Sequence, residues 1–139
     1  MAVTKFDGIQ QINTDEAPHA IGPYCQAVRA GDFLFISGQL ALDPQTGALI
    51  GTTIEEQTEI VLNNIEEILR AAGLTLAQVV RAEIYVSDLN YMKAVNGIYA
   101  QRFSHAIKPA RHAFQVTRLP LDALIEITCI AYVDHLNFC

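Results

Sequence analysis

An α+β fold built on one mixed sheet is what this sequence predicts, and three observations carry the prediction. The segment from Thr53 to Gly73 has helical periodicity and a cap at each end. Several short runs alternate apolar and polar residues with period two, or are rich in β-branched and aromatic residues. These runs come as hairpins at both ends of the chain with helical segments between them, in the order β-β-β-α-β-α-β-β. The result is a six-stranded mixed sheet with two helices on one face. Two helices cannot cover both faces, and a symmetric oligomer is the simplest cover for the other.

In chain order, Met1 to Asp7 reads as a loose start and Gly8 to Asn13 as a short strand. Thr14 to His19 is polar and contains Pro18, and Ile21-Gly22-Pro23-Tyr24 supplies a second loop with a phenol at its turn. Cys25–Val28 and Phe33–Gln39 are strands joined through Gly31-Asp32, a hairpin signal. The second ends in Ser37-Gly38-Gln39, where a glycine permits close approach of a ligand or another backbone. Asp43-Pro44-Gln45-Thr46-Gly47 is a turn.

Thr53 and Glu56 form a capping-box pattern, and Ile54, Val61, Leu62, Ile65, Ile68, Leu69 and Ala72 make one apolar stripe about five turns long. Gly73 stands where a helix ends in the left-handed region. Glu55, Glu59, Glu66 and Glu67 form its solvated side. Val80 to Ser87 alternates and is a strand covered on one face. Asp88 or Asn90 caps a second helix, Met92 to Phe103, with Met92, Val95, Tyr99 and Phe103 on its apolar stripe and Asn96 at the stripe's edge. His112 to Thr117 and Leu124 to Val133 are the last two strands. In the latter, Ile125, Ile127, Cys129 and Ala131 share one face, and Glu126, Thr128 and Ile130 the other. Asp134 to Cys139 is a tail.

The 139 residues make a single domain, 1–139. Hydrophobic residues are 51% and charged residues 17%, which leaves little room for disorder and suggests apolar surface buried between subunits. The net charge of −6, with scattered Lys and Arg, argues against nucleic-acid binding. No run reaches the roughly 18 apolar residues that span a membrane. Three cysteines without C-x-x-C spacing read as reduced thiols, hence a cytoplasmic protein.

Candidate chemistry is sparse. There is no glycine-rich phosphate loop, no G-x-S-x-G elbow, and no metal-ligand spacing among the four histidines. His112 is the histidine beside the candidate site and reads as a bystander; Arg118 reads as a surface ion-pair residue. The positive signal is Arg111, at the mouth of one strand, with Glu126 on the next. An arginine fork clamps a carboxylate, and a glutamate handles a proton or a water. If Pro120 turns the two strands into a hairpin, the two side chains meet near its open end. An ordinary salt bridge is the competing reading of the same spacing.

Several motifs extend this reading: Ile21-Gly22-Pro23-Tyr24, Phe35-Ile36-Ser37-Gly38-Gln39, Asp43-Pro44-x-Thr46-Gly47, Val95-Asn96-x-x-Tyr99, Pro109-Ala110-Arg111, Arg118-Leu119-Pro120 and Ile125-Glu126-Ile127. In this order and spacing, nearly the whole chain resembles the RidA/YjgF family of enamine/imine deaminases. The resemblance implies a chorismate-mutase-like fold and a homotrimer with clefts between subunits. It also implies hydrolysis of 2-iminoacids such as 2-iminobutanoate and 2-iminopropanoate to 2-ketoacids and ammonia, without metal or cofactor. It gives Arg111 the substrate carboxylate and Glu126 the attacking water, and makes Tyr24, Ser37, Gly38 and Asn96 cleft residues. Ala113 stands where many deaminase members have cysteine, and His112 where they have a smaller polar residue. A non-catalytic 2-ketoacid or amino-acid sensor, a ribonuclease or translation inhibitor, and a chorismate-mutase-type isomerase are the competing functions; the last needs more cationic clamps than Arg111 alone.

Overall fold

The computed structural model describes residues 5–6 and 8–133. The strands are β1 (Lys5–Phe6), β2 (Ile9–Ile12), β3 (Ala27–Ala30), β4 (Phe33–Gln39), β5 (Val79–Val86), β6 (Ala110–Gln115) and β7 (Ile125–Tyr132); the helices are α1 (Ile54–Ala71) and α2 (Met92–Arg102). All strands lie in one mixed sheet, in the order β1-β2-β3-β4-β7-β5-β6. The six expected strands are present. The two-residue β1, in what reads from sequence as a loose start, adds a seventh at the edge by pairing with β2. The tail expected at 134–139 lies outside the described residues.

Local chemistry explains the elements. Thr53 accepts a hydrogen bond from the Glu56 amide at 3.1 Å, as the capping pattern requires. The return half goes to a different amide, with Thr52 N donating to Glu56 Oε2 at 3.4 Å. At the other end Gly73 adopts φ 77°, and Leu74 N closes back on Leu69 O at 2.9 Å. Val61, Leu62, Ile65, Ile68 and Leu69 are fully buried against the sheet.

The helix also buries three polar side chains that look like surface residues in sequence. Gln57 donates to Gly51 O and accepts from Leu124 N; Thr58 donates to Ile54 O; Asn64 donates to Leu40 O and Leu42 O. Gln57 and Asn64 satisfy backbone groups of loops with no ladder partner there. They tie the segments after β4 and before β7 to α1.

The helices pack on one face. The other presents Phe33, Phe35, Phe114 and Tyr132, each more than 40% exposed. That is the uncovered apolar face anticipated from the helix count.

One expectation fails. The strands of Arg111 and Glu126 do not form a hairpin, because β5 lies between β6 and β7. β5 and β6 are parallel, since α2 carries the chain back over the sheet before β6 begins. Residues 116–124 then let β7 pass β5 and insert between β4 and β5, antiparallel to both.

Candidate active site

Strand register decides where each candidate points. Glu126 pairs with Tyr85, and Tyr85 with Phe114, so all three rise from the uncovered face. Arg111 pairs with Ala82, and Ala82 with Cys129, both in the core beneath the helices. Arg111 and Glu126 of one chain are therefore two strands apart and on opposite faces. No ion pair joins them.

Glu126 lines a cavity of about 360 Å³ with Tyr24, Ser37 and Gly38. The structure thus brings together four of the sequence candidates. A bulge in β4 makes room: Ile36 pairs with Cys129 and Gln39 with Ile127, so Ser37 and Gly38 together face Thr128. Gly38 lies under the Glu126 side chain. A Cβ added to it would sit 2.9 Å from the Glu126 carboxyl carbon, so the Glu126 side chain would have to move to admit it. The close approach read from this glycine is therefore to Glu126. The Ser37 hydroxyl donates to Cys25 O at 2.6 Å and faces the loop before β3.

That loop is held by one buried side chain. Gln26, 2% exposed, accepts from Thr14 N at 2.7 Å and donates to Thr14 O, Ala17 O and Pro18 O at 3.0, 3.2 and 2.8 Å. A single carboxamide fixes four backbone groups and, with them, the wall carrying His19, Ile21 and Tyr24. The Tyr24 hydroxyl accepts from Ile21 N at 3.3 Å.

Leu40, Leu42 and Pro120 complete the apolar side of the cavity, and Gln26 and Gln39 the polar side. Burial pushes the Glu126 carboxyl above its ordinary pKa of 4.5. Sequence reading missed Gln26, Gln39, Leu40, Leu42, Pro120 and His19 as lining residues. It also singled out His112 as the nearby histidine. The structure corrects this: His19 lines the cavity, at 3.3 Å from Asp15, while His112 stands beside Glu83 at 3.9 Å.

Among the described residues no Lys or Arg lines the cavity, so they supply no fixed cation there for an anionic substrate. Arg111 lies elsewhere, on the edge strand β6. Its Nη1 donates to Asn96 Oδ1 at 2.8 Å, and its guanidinium carbon lies 4.9 Å from the centre of the Tyr99 ring. Tyr99 stacks in turn on Phe103 at 4.3 Å. Among the described residues no carboxylate pairs with Arg111, which leaves an oriented, exposed fork. Ala113, two residues on and on the same face, packs against the core edge. Arg118 forms a two-point ion pair with Asp122 at 2.6 and 3.1 Å on the surface, as read from sequence.

Among the described residues no group of three or more His, Cys, Asp or Glu side chains is placed to hold a metal ion. No described helix is long and apolar enough to cross a membrane.

Comparison with known proteins adds to this geometry. The family model described as endoribonuclease L-PSP matches residues 14–133. A RutC family protein of Pyrococcus horikoshii is 50% identical over 123 residues, 88% of this chain and 97% of that one. The chloroplastic Reactive Intermediate Deaminase A of Arabidopsis thaliana is 48% identical over 120 residues, 86% of this chain and 64% of that one. A 2-iminobutanoate/2-iminopropanoate deaminase of Capra hircus is 45% identical over 120 residues, 86% of this chain and 87% of its own length. Among solved structures, that of a putative endoribonuclease from Thermotoga maritima superposes with a TM-score of 0.85 at 44% identity, covering 89% of this chain and 97% of that one. Escherichia coli TdcF with bound serine does so with a TM-score of 0.85 at 39% identity, covering 89% and 98%.

Proposed function

The chain belongs to the endoribonuclease L-PSP, or RidA/YjgF, family, and from that premise we propose that it hydrolyses reactive 2-iminoacids, 2-iminobutanoate and 2-iminopropanoate among them, to 2-ketoacids and ammonia. Its deaminase-named relatives support imine or enamine deamination in general terms. The observation that carries the finer reading is the division of the site. Among the described residues, the cavity that holds an acid with a raised pKa has no cation in its lining, and the exposed arginine fork on the edge strand has no carboxylate partner. Each half supplies what the other needs, so the working cleft forms between two copies of a homotrimer.

In that cleft Arg111 of one copy takes the substrate carboxylate by two parallel N–H donors, a geometry lysine cannot copy. Asn96 and Tyr99 hold the guanidinium in place, and Ala113 on the same strand face flanks it. Glu126 of the other copy takes a proton from water as the oxygen bonds to the C=N carbon. The imine reacts as its iminium form, already protonated from solvent, so the addition gives a neutral tetrahedral carbinolamine and a protonated Glu126. Glu126 then returns its proton to the amino nitrogen, and collapse of the adduct expels ammonia and forms the ketone as the hydroxyl proton passes to solvent. An imine carbon is already electrophilic, so orientation plus one acid–base group suffices, and no cofactor enters. The RNA cleavage in the family's name fits poorly here, since the net charge is −6 and phosphate binding depends on cationic surface.

The test is to generate 2-iminobutanoate enzymatically and time its loss. The protein should accelerate that loss, and Arg111→Ala should abolish the acceleration without changing the assembly state. An unchanged rate with Arg111→Ala removes the clamp role.

A further inference from the structure

Glu126 has a neighbour that its proposed chemistry leaves unused. Tyr85 stands directly opposite it in the β5–β7 register, on the same face. Side chains in that relation have Cβ atoms about 4.5–5.5 Å apart. A phenol beside a carboxylate ordinarily donates to it, which favours the ionised form. Here the Tyr85 hydroxyl donates instead to Glu83 Oε2, at 3.0 Å. No donor among the described residues bonds to the Glu126 carboxyl.

Glu83 is held for that task. Arg81 Nε donates to Glu83 Oε1 at 3.0 Å. Arg81 Nη2 also lies 3.1 Å from His112 Nδ1. On the other side of the ring, His112 Nε2 faces Glu83 Oε2 at 3.9 Å. The His112 ring meets Tyr85 edge-on at 6.1 Å. Tyr85 also packs against the cluster of Leu40, Leu42, Leu119 and Ala123, and Leu40 and Leu42 line the Glu126 cavity. The phenol is thus fixed by its hydroxyl, one ring edge and an apolar bed.

We propose that Tyr85 is a positioning residue for Glu126: its ring keeps water from the carboxyl on the β5 side, while Glu83 keeps its hydroxyl from reaching that carboxyl. This rests on the acid–base role given to Glu126 above. A carboxylate that must take a proton from water near neutrality works better with a raised proton affinity, and a donated phenol bond would lower it. The titratable and charged groups facing this pair are Arg81 and Glu83 from β5, His112 from β6, Tyr24 and His19 from the cavity wall and, in the proposed cleft, Arg111 of the neighbouring copy, which is present in every variant compared below. From β4 the neighbours are Gly38 and Gln39, which carry no charge.

The test is a carboxyl ¹³C NMR titration of Glu-labelled protein, with the Glu126 signal assigned by its loss in Glu126→Gln, run beside the pH profile of kcat/KM for imine hydrolysis. Tyr85→Phe keeps the ring and should leave the Glu126 midpoint in place. Tyr85→Ser should lower it by about one pH unit as water gains access. Glu83→Ala should lower it when Tyr85 is present and leave it unmoved in the Tyr85→Phe background. An unmoved midpoint in Tyr85→Ser, or an equal shift by Glu83→Ala in both backgrounds, overturns the proposal. Should Tyr85→Ser fail to fold, the Glu83→Ala and Tyr85→Phe pair decides alone, since both retain the ring. Midpoints that shift as expected while the kcat/KM profile does not follow uphold Tyr85 and refute the catalytic role of Glu126.

Discussion

Glu126 shows how one side chain couples chemistry to stability. Its carboxyl is half-buried and its pKa is raised by burial above 4.5. A raised value means the fold prefers the protonated form. The preference is fully felt below the ordinary pKa and is lost as pH rises through the folded value, so at neutrality the ionised carboxylate is a cost. Glu126→Gln should therefore raise the melting temperature at pH 7, with the gain shrinking toward zero as pH falls to about 4, while turnover drops by roughly 10²–10⁴. Parallel melting curves at pH 4 and pH 7 check the sign; a gain of equal size at both would mean burial does not burden the carboxylate. The turn at the cavity's edge stores a different cost. Leu121 and Asp122 both have positive φ, 59° and 54°, around the bond from Ala123 N to Pro120 O. Leucine in that region costs roughly 1–2 kcal/mol, and asparagine tolerates it better. Leu121→Asn should raise the melting temperature by a few degrees and leave hydrolysis intact, measurable by scanning calorimetry and the imine assay.

At the scale of elements, what could be read from sequence followed local pattern. α1 was legible because its stripe, the Thr53 cap and Gly73 are all encoded within a few residues of where they act. β7 was legible because Ile125, Ile127, Cys129 and Ala131 alternate with Glu126, Thr128 and Ile130, and the core takes the first set. The β6–β7 hairpin was misread because neighbour order in a sheet has no local signature: Pro120 marks a turn but not which strand the chain meets next. Of the four cavity residues, Glu126 was read from its strand position and Gly38 as a point of close approach, and the motif resemblance made Tyr24, Ser37 and Gly38 cleft residues; Gln26 and Asn64 were not found, since a buried amide and a surface amide look alike in sequence. Asn64 tests how much such a residue matters. It donates to Leu40 O at 3.3 Å and Leu42 O at 3.0 Å, and both leucines line the Glu126 cavity. Asn64→Ala leaves two buried carbonyls without that partner and should cost about 1–3 kcal/mol. Urea denaturation should show the loss, and KM should rise with it as the cavity wall loosens; a stable variant with unchanged KM would mean other contacts hold the segment.

The whole molecule sets Arg111 and Glu126 on opposite faces of its sheet and leaves one face without helices. Phe33 and Tyr132 meet edge to face at 6.0 Å at one end of the β4–β7 pair on that face, with Phe35 and Phe114 also exposed there. An apolar patch of this kind seeks cover, and a second copy of the chain can supply it. If the copies assemble so that Arg111 of one meets the Glu126 cavity of the next, each cleft draws its two essential groups from different chains. Subunit mixing then gives a result no single-chain site can give. Arg111→Ala and Glu126→Gln proteins are each inactive alone, because every cleft in either assembly lacks one group. When equal amounts are unfolded together and refolded, a cleft is intact wherever a Glu126→Gln chain supplies Arg111 and an Arg111→Ala chain supplies Glu126. Random assembly makes about a quarter of the clefts so, and activity should return to about that fraction of wild type. A mixture as inactive as its components would show that both groups serve within one chain, and the register of β5, β6 and β7, which puts them on opposite faces, leaves no route for that without refolding the sheet.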